Sequence, residues 1–280
     1  MTSPNLADWI GRQETRIDRV TPAPLGRLAA LLDHETPPWP RKVLPPLGHW
    51  IFHLPDTRQS ELGADGHPSK GDFLPPISQP RRMWAGSRVQ FLGPVPVGSL
   101  IDRRTTIAGI VAKPTQAGES VFVTLRHEII VRDTLVIIEE QDLVYLEPPS
   151  VSAVPSAAKP VAVPDAQFSR PMTAGAGLLF RFSALTFNAH RIHYDRDYAV
   201  AVEKYPGLVV QGPLLATLLM DLFLRHGGQR RVRSFEFRAR SPTFDGVPFD
   251  LCMSTAADVT DLWVVGAGGR ISMTARIEAD

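Results

Sequence analysis

The sequence predicts an α+β protein made of two similar halves. Its 280 residues suffice for two compact units of about 130–150 residues each. A hydrophobic content of 44% is typical of a chain that folds around a core. A helical pattern followed by β-rich runs occurs twice along the chain. A buried helix wrapped by a curved antiparallel sheet is the architecture that this order favours.

In the first half, apolar residues at helical spacing predict helices over residues 4–16 and 24–32. The Pro-rich residues 37–80 are too many and too irregular for an ordinary connection, which predicts a lid or binding loop. Strands are predicted for residues 88–91, 99–112, 119–132 and 134–145.

A stretch rich in Pro, Ala, Ser and Val divides the halves. It predicts an N-terminal unit over residues 1–148, a linker over 149–165 and a C-terminal unit over 166–280. In the second half, an apolar run predicts a strand, and a later segment that is apolar nearly all round predicts a buried helix. The predicted elements are a strand over 178–186, helices over 196–204 and 213–225, and strands over 231–240, 248–256, 262–265 and 270–278.

Composition excludes several classes of protein. The net charge of +1, from 30 basic and 29 acidic residues, argues against a dedicated nucleic-acid binder. The single cysteine, Cys252, excludes an intramolecular disulfide and a Cys-rich zinc site. No apolar run reaches the roughly 18 residues of a membrane span. Residues 1–12 resemble neither a signal peptide nor a transit peptide, so we expect a cytoplasmic protein.

The most informative stretch is residues 186–195, which places two of the eight histidines, an amide and a carboxylate together. His190, His193 and Asp195 are possible metal ligands, but their spacing differs from that of a zinc-protease helix, and we expect no metal or other cofactor. A histidine is also suited to proton transfer near neutral pH. In the plainer alternative, His190 packs or caps and His193 alone faces a cavity.

Gly212 stands at the predicted start of the buried helix. Free N–H groups and the positive dipole end at such a position suit a carbonyl oxygen that gains negative charge, as a thioester carbonyl would. In the plainer alternative, Gly212 and Pro213 merely begin a helix.

On these residues the second half resembles the hot-dog-fold R-specific enoyl-CoA hydratases and dehydratases, the MaoC-like group. That group has a catalytic loop Asp-x-Asn-x-x-His before its central helix, which matches Asn188, His190 and His193 here. The segment Gly-Leu-Val-Val-Gln-Gly-Pro at residues 207–213 resembles the family's helix entry, where histidine is common at the position of Gln211.

The resemblance is stronger to a branch with two fused hot-dog units, which contains mesaconyl-C4-CoA and itaconyl-CoA hydratases and mitochondrial-type 3-hydroxyacyl-thioester dehydratases. Its loop, Thr-Phe-Asn-x-His-x-Ile-His-Tyr-Asp, matches residues 186–195, and residues 74–76 and 80–86 fit it as well. The resemblance implies a double hot-dog fold with a catalytic C-terminal unit, and an N-terminal unit that shapes the acyl pocket and lacks catalytic groups.

One position departs from the family. Asn188 replaces the family's aspartate, and an amide cannot take a proton from water. The resemblance therefore places the base on a histidine, His193, with His190 or Asp195 setting its tautomer or assisting. If both histidines take part, their titrations are coupled.

The expected substrate is a CoA thioester. Gly212 would polarise the thioester carbonyl, while Arg81 and Arg82 would hold a substrate carboxylate or CoA phosphates, unless they form a solvated turn. Trp84 and Gln211 complete the expected binding residues, although a core role for Trp84 is the alternative.

We therefore expect a hydro-lyase that interconverts a 2-enoyl-CoA and a 3-hydroxyacyl-CoA, as a monomer or homodimer. The preferred substrate is mesaconyl-C4-CoA or itaconyl-CoA, giving citramalyl-CoA. The alternatives are a 3-hydroxyacyl-thioester dehydratase of fatty-acid metabolism and a non-catalytic acyl-CoA binding module.

Overall fold

The computed structural model describes residues 5–115, 118–148, 163–228 and 230–280. Most of the predicted linker lies outside these residues. The strands are β1 (Gln13–Arg19), β2 (Arg81–Phe91), β3 (Leu100–Thr115), β4 (Gly118–Val131), β5 (Thr134–Leu146), β6 (Phe168–Thr173), β7 (Val232–Ala239), β8 (Pro248–Ala256), β9 (Val259–Gly266) and β10 (Arg270–Ala279). The α-helices are α1 (Pro22–Leu31), α2 (Ala176–Thr186), α3 (Arg196–Ala201) and α4 (Gly212–His226).

The ten strands form one antiparallel sheet in the order β1-β3-β4-β5-β2-β7-β10-β9-β8-β6. Read from each outer edge inwards, both halves have the same order: first strand, third, fourth, fifth, second. This repetition agrees with the two halves expected from the sequence. The halves join where β2 pairs with β7, from Gly86 opposite Arg238 to Gln90 opposite Ser234.

Glycine is required at the start of this junction. A Cβ on Gly86 would lie 2.5 Å from the Phe237 carbonyl oxygen, closer than real Cβ contacts occur. The missing side chain therefore lets the two β-strands approach where β2 also carries a bulge between Trp84 and Gly86.

The helix α4 forms the centre of the C-terminal half. Ten consecutive residues, 214–223, are buried, and α4 packs against β8, β9 and β10. This confirms the buried helix predicted from its apolar sequence. In the N-terminal half, the described residues between α1 and β2 contain no helix longer than the four-residue 3-10 turn Gly48–Ile51, because prolines recur through this segment and interrupt helices.

Two predicted elements are wrong. Residues 6–9 form only a 3-10 turn, and the helix expected to continue to residue 16 is replaced by β1, whose side chains alternate in burial and which pairs with β3. The strand predicted for residues 178–186 is the helix α2, which buries Leu179, Phe182 and Ser183 on one face. A short apolar run has the same sequence pattern in a buried strand and in a helix.

The sequence also missed β6. This strand contains Pro171, which removes a backbone donor and counts against a central strand. Its position explains the exception, because β6 lies at the sheet edge and pairs only with β8. None of the helices in the described part of the chain is long and apolar enough to cross a membrane.

A buried carboxylate joins the two halves behind the sheet. Asp221 of α4 has a fully buried side chain and lies 2.5 Å from His34 Nε2, 3.1 Å from Arg170 Nη1 and 2.8 Å from Arg225 Nε. The Arg225 guanidinium also donates to the Leu32 carbonyl oxygen at 2.7 Å. Because His34 and Leu32 belong to the N-terminal half, this cluster fixes α4 against the end of α1.

We expect Asp221→Ala to lower the free energy of unfolding by about 3–5 kcal/mol, because it leaves partly buried cations without their carboxylate. Urea unfolding followed by circular dichroism measures the change. Asp258→Ala is the control, since Asp258 is exposed and lies 3.8 Å from Arg230, and its expected effect is below about 1 kcal/mol. Equal effects of the two substitutions would contradict the assignment.

Candidate functional site

The loop after α2 is shaped by its own polar side chains. Phe187 adopts left-handed backbone angles (φ 50°) and ends α2. The Asn188 side-chain oxygen accepts a hydrogen bond from the His190 N–H at 3.0 Å. Asp195 accepts from the Tyr198 N–H at 3.0 Å and pairs with Arg191 at 2.7 Å. Asn188 and Asp195 therefore set the course of the loop. The Asp195 carboxylate caps α3, and its expected role in assisting a histidine stays a prediction.

His193 is buried at the end of the 3-10 turn Arg191–His193. Its Nδ1 lies 2.7 Å from the Val209 carbonyl oxygen. A carbonyl can only accept, so Nδ1 carries the proton and Nε2 keeps a lone pair. Burial lowers the pKa of His193 to about 4, and the imidazole is neutral at neutral pH. Within the described residues, Nε2 has no hydrogen-bond partner.

The N-terminal half contributes a second histidine to this place. His67 Nδ1 lies 2.9 Å from Asp65 Oδ2, and the His67 N–H donates to Asp65 Oδ1 at 3.0 Å. The His67 ring centroid is 4.0 Å from that of His190, which is 5.4 Å from that of His193. His190 therefore contacts both of the other rings, and the three imidazoles form one cluster, called here the histidine row.

Burial is the main influence on the charges in this row. Burial, together with the Arg82 guanidinium, lowers the pKa of His67 to about 4 against the opposing effect of Asp65. Burial and the two flanking histidines lower the pKa of His190 further. Although burial alone would raise the pKa of Asp65, the hydrogen bond from His67 holds it well below its usual value. The resting cluster is one carboxylate beside three neutral imidazoles.

Residues 64–67 are tightly docked on the loop. The Arg191 N–H donates to the Asp65 carbonyl oxygen at 2.9 Å, and Arg191 Nη1 donates to the Ala64 carbonyl oxygen at 2.9 Å. Gly66 directly follows Asp65 and has a φ of +88°. A Cβ on Gly66 would be 1.9 Å from the Ala189 carbonyl oxygen. Only glycine permits this approach.

Gly212 begins α4, and within the described ranges its N–H has no acceptor. A Cβ at this position would lie 3.7 Å from the Trp84 carbonyl oxygen, which is an ordinary contact, so the protein's own packing does not demand glycine. The chain segment that holds His193 runs directly to Gly212. The Val209 carbonyl oxygen accepts the hydrogen bond from His193, and Val209 stands three residues before Gly212.

Three expected substrate-binding residues have structural partners instead. Arg81 Nε lies 2.7 Å from Glu203, and its Nη2 donates to Tyr205, so Arg81 is engaged within the protein and its binding of a substrate anion stays a prediction. The fully buried Gln211 donates to the Leu179 carbonyl oxygen and to Ser183, which ties α4 to α2 rather than lining a pocket. The Trp84 ring packs against Trp50 and Phe237 at centroid distances of 5.0 and 6.0 Å.

Arg82 is different because the strand alternation turns it away from Arg81. In the described residues, no carboxylate lies within ion-pair distance of Arg82. Its charge acts on His67, His190 and Lys70, and it lies beside the enclosed Tyr145 hydroxyl without hydrogen-bond geometry. Arg82 is therefore an uncommitted cation at the histidine row.

Asp65, His67 and His190 also form a group that could hold a metal ion, since their ligand atoms lie within 4.8 Å of one another. The possible metal ligands identified from the sequence were a different set: His190, His193 and Asp195. Both Asp65 oxygens already accept from His67, which fits an acid–base pair equally well. A separate cleft of about 410 Å³ between α1 and α2 has no histidine or carboxylate in its lining and does not fit this chemistry.

Comparison with known proteins identifies the family. Residues 47–245 match the family described as hydroxyacyl-thioester dehydratase type 2, which covers more than half of the chain. The chain belongs to this family. It is a MaoC-like hydro-lyase, as the sequence predicted.

Two relatives span most of the chain. A mesaconyl-C(4)-CoA hydratase of Chloroflexus aurantiacus is 44% identical over 279 residues, 99% of each chain. A mitochondrial hydroxyacyl-thioester dehydratase type 2 of Schizosaccharomyces pombe is 29% identical over 88% of this chain and 91% of its own.

Solved structures share the fold at lower identity. HtdX of Mycobacterium tuberculosis has a TM-score of 0.70 at 14% identity, covering 96% of this chain and 100% of its own. Another M. tuberculosis protein, described as having a double hot-dog fold, has a TM-score of 0.57 at 14% identity over 99% and 98%. The predicted double hot-dog fold is confirmed.

Sequence reasoning missed Asp65 and His67. They lay within the segment predicted to be a lid or binding loop, but no feature connected them with a loop more than 120 residues away. The available signal was Asp-Gly-His-Pro at residues 65–68, in which glycine separates two titratable side chains. The N-terminal half thus places two titratable side chains beside His190, and the expectation that this half lacks catalytic groups stays a prediction.

We expect Gly66→Ala to lower kcat at least about tenfold while the chain remains folded, because the added methyl group forces residues 64–67 away from the loop and disturbs the site geometry. Steady-state kinetics and a thermal melt measure the two effects. Gly98→Ala is the control, since Gly98 has a similar φ of +97° with no atom near its Cβ position. Unchanged kcat in Gly66→Ala would contradict the docking argument.

Proposed function

We propose that the protein catalyses reversible hydration of a 2-enoyl-CoA to a 3-hydroxyacyl-CoA at the histidine row. The observation that carries this proposal is a neutral histidine, His193, with an open Nε2 whose other nitrogen is held by Val209, just before the free N–H of Gly212. A proton acceptor and an oxyanion donor on one rigid segment are what addition to an α,β-unsaturated thioester needs.

The reaction adds the water oxygen to C3 and a proton to C2. As the bond to C3 forms, the C2=C3 electron pair moves towards the thioester, and its carbonyl oxygen gains negative charge. The Gly212 N–H and the positive end of α4 stabilise that charge. His193 Nε2 contacts the water, and its assignment as a proton-transfer residue stays a prediction.

We propose that the substrate is a short branched dicarboxylic acyl-CoA, either mesaconyl-C4-CoA or itaconyl-CoA, with citramalyl-CoA as product. The C. aurantiacus relative, at 44% identity, supports this choice. So does Arg82, which has no carboxylate partner among the described residues and lies beside His67 and His190. A guanidinium is suited to a free carboxylate on the acyl group.

The alternative substrate is a fatty 3-hydroxyacyl thioester, which the S. pombe relative favours. A binding module without turnover is the remaining alternative. One chain supplies both halves of the site, so a monomer or a homodimer fits the proposal, and the cytoplasm is the proposed location.

We expect the purified protein to remove the enoyl-thioester absorbance of mesaconyl-C4-CoA faster than that of crotonyl-CoA. His193→Gln should lower kcat at least about 100-fold, since it removes the imidazole that contacts the water. His226→Gln is the control because His226 is exposed and stacks on Phe168. Faster turnover of crotonyl-CoA would favour the fatty-acyl alternative, and intact turnover in His193→Gln would contradict the site.

We expect Arg82→Gln to raise KM for the dicarboxylic substrate about 10- to 100-fold, the effect of losing a hydrogen bond to a charged group, and to leave KM for crotonyl-CoA unchanged. Initial rates with both CoA esters provide the comparison. Arg276→Gln is the control, since Arg276 pairs with Asp261 at the surface. An equal rise for both esters would show that Arg82 does not recognise the carboxylate.

A further inference from the structure

We infer that His67, with its Nδ1 held by Asp65, is the catalytic base of this enzyme. The inference rests on the proposed hydration reaction and sharpens it. It moves proton transfer from the loop histidine His193 to a histidine of the N-terminal half, and it leaves His193 to hold the attacking water.

The hydrogen-bond partners of the two histidines differ in charge. His67 Nδ1 donates to the Asp65 carboxylate at 2.9 Å, whereas His193 Nδ1 donates to the neutral Val209 carbonyl oxygen at 2.7 Å. A base becomes positively charged when it takes a proton. A carboxylate partner stabilises the resulting imidazolium far more than a carbonyl does, and it also fixes the tautomer.

Other carboxylates and amides do not provide this support. The Asn188 amide has no useful basicity and its oxygen is used within the loop. The Asp195 carboxylate caps α3 and pairs with Arg191. Within the ranges that the structure describes, the acidic group grouped with the site histidines is Asp65.

The free nitrogen of His67 is open to a substrate. The His67 side chain keeps 18% of its surface exposed, and within the described residues its Nε2 has no hydrogen-bond partner. His190 packs against the His67 ring and is more deeply buried, so it fixes the ring and remains neutral. His67 therefore presents a lone pair from a fixed position.

The proposed step is balanced in atoms and charge. His67 Nε2 takes a proton from water while the water oxygen bonds to C3, and the C2=C3 electron pair forms an enolate whose oxygen receives the Gly212 N–H. The His67 imidazolium then returns the proton to C2 as the thioester carbonyl re-forms. His67 ends neutral, Asp65 stays ionised throughout, and no further reactant is required.

The groups that face His67 determine the pH dependence. Asp65 raises its pKa and Arg82 lowers it, while His190 and His193 are neutral neighbours and Lys70 donates to the Ile77 and Gln79 carbonyl oxygens. Activity requires neutral His67, so it falls as the pH drops through the pKa of His67. Removing the Asp65 charge lowers that pKa and should move the acidic limb of kcat/KM to lower pH.

The first test compares His67→Gln with His53→Gln using the CoA ester that the wild type hydrates. His53 is a more deeply buried histidine of the same segment, bonded to the Ile101 carbonyl oxygen at 3.0 Å. We expect His67→Gln to lower kcat at least about 100-fold, within the range of general acid–base catalysis, with KM little changed. His53→Gln should lower the thermal midpoint more than His67→Gln does, and kcat less.

The second test compares Asp65→Asn with Asp56→Asn, an exposed carboxylate of the same segment that pairs with Arg16. We expect Asp65→Asn to lower kcat at least about tenfold, because the imidazolium loses its counter-charge, and to shift the acidic limb downwards. Asp56→Asn should leave kcat and the limb unchanged. A role in packing alone would lower stability without moving the limb.

The outcomes separate this inference from the proposed function. Turnover by the wild type that survives in His67→Gln but is lost in His193→Gln keeps the hydratase and overturns the inference. Activity that chelator removes and Zn²⁺ restores makes Asp65, His67 and His190 metal ligands, which also overturns it. A wild type that binds but does not hydrate CoA esters overturns both.

Discussion

The antiparallel pairing of β2 with β7 is the constraint on which the rest of the molecule depends. Five residue pairs join two half-sheets into one, and Gly86 lets the backbones approach. The pairing places β2, with Arg82 and the Trp84 carbonyl, next to the start of α4. Without it, the N-terminal residues that lie at the histidine row and the start of α4 would belong to separate surfaces.

Asp221 and Asp65 are carboxylates whose partners differ in kind. Asp221 has two arginines and a histidine as partners, and Asp65 has a histidine. The arginines that pair with Asp221 stay protonated and cannot accept a proton. The Asp221 cluster therefore suits a permanent structural contact. The Asp65 cluster keeps titratable imidazoles with free nitrogens, which suits a group that must gain and lose a proton. The difference lies in the partners, not in the carboxylates.

Much of the fold could be predicted because the spacing of apolar residues and the residues that form turns can be recognised within short segments of the sequence. The long strands β3, β4 and β5 and the buried α4 were found from periodicity, turn residues and apolar content. The prediction failed for α2, where the mostly apolar residues 178–185 carry no distinguishing period, and for β6, where Pro171 hides an edge strand. Within the site, the loop motif located His190 and His193. It could not locate His67, because a contact between residues so far apart is a property of the folded chain. The loop motif also could not predict that Arg81 forms an ion pair with Glu203 and a hydrogen bond with Tyr205.

The missing helix of the N-terminal half has a consequence for symmetry. In a dimer of identical hot-dog units, any change in one unit is repeated in the other, so both must keep a helix like α4 and both must keep the same loop. Joining two units in one chain removes that obligation. Here α4 belongs to the C-terminal unit, while the segment between α1 and β2 of the other unit places Asp65 and His67 beside His190. Joining the units in one chain therefore lets each of them supply different side chains to one composite site.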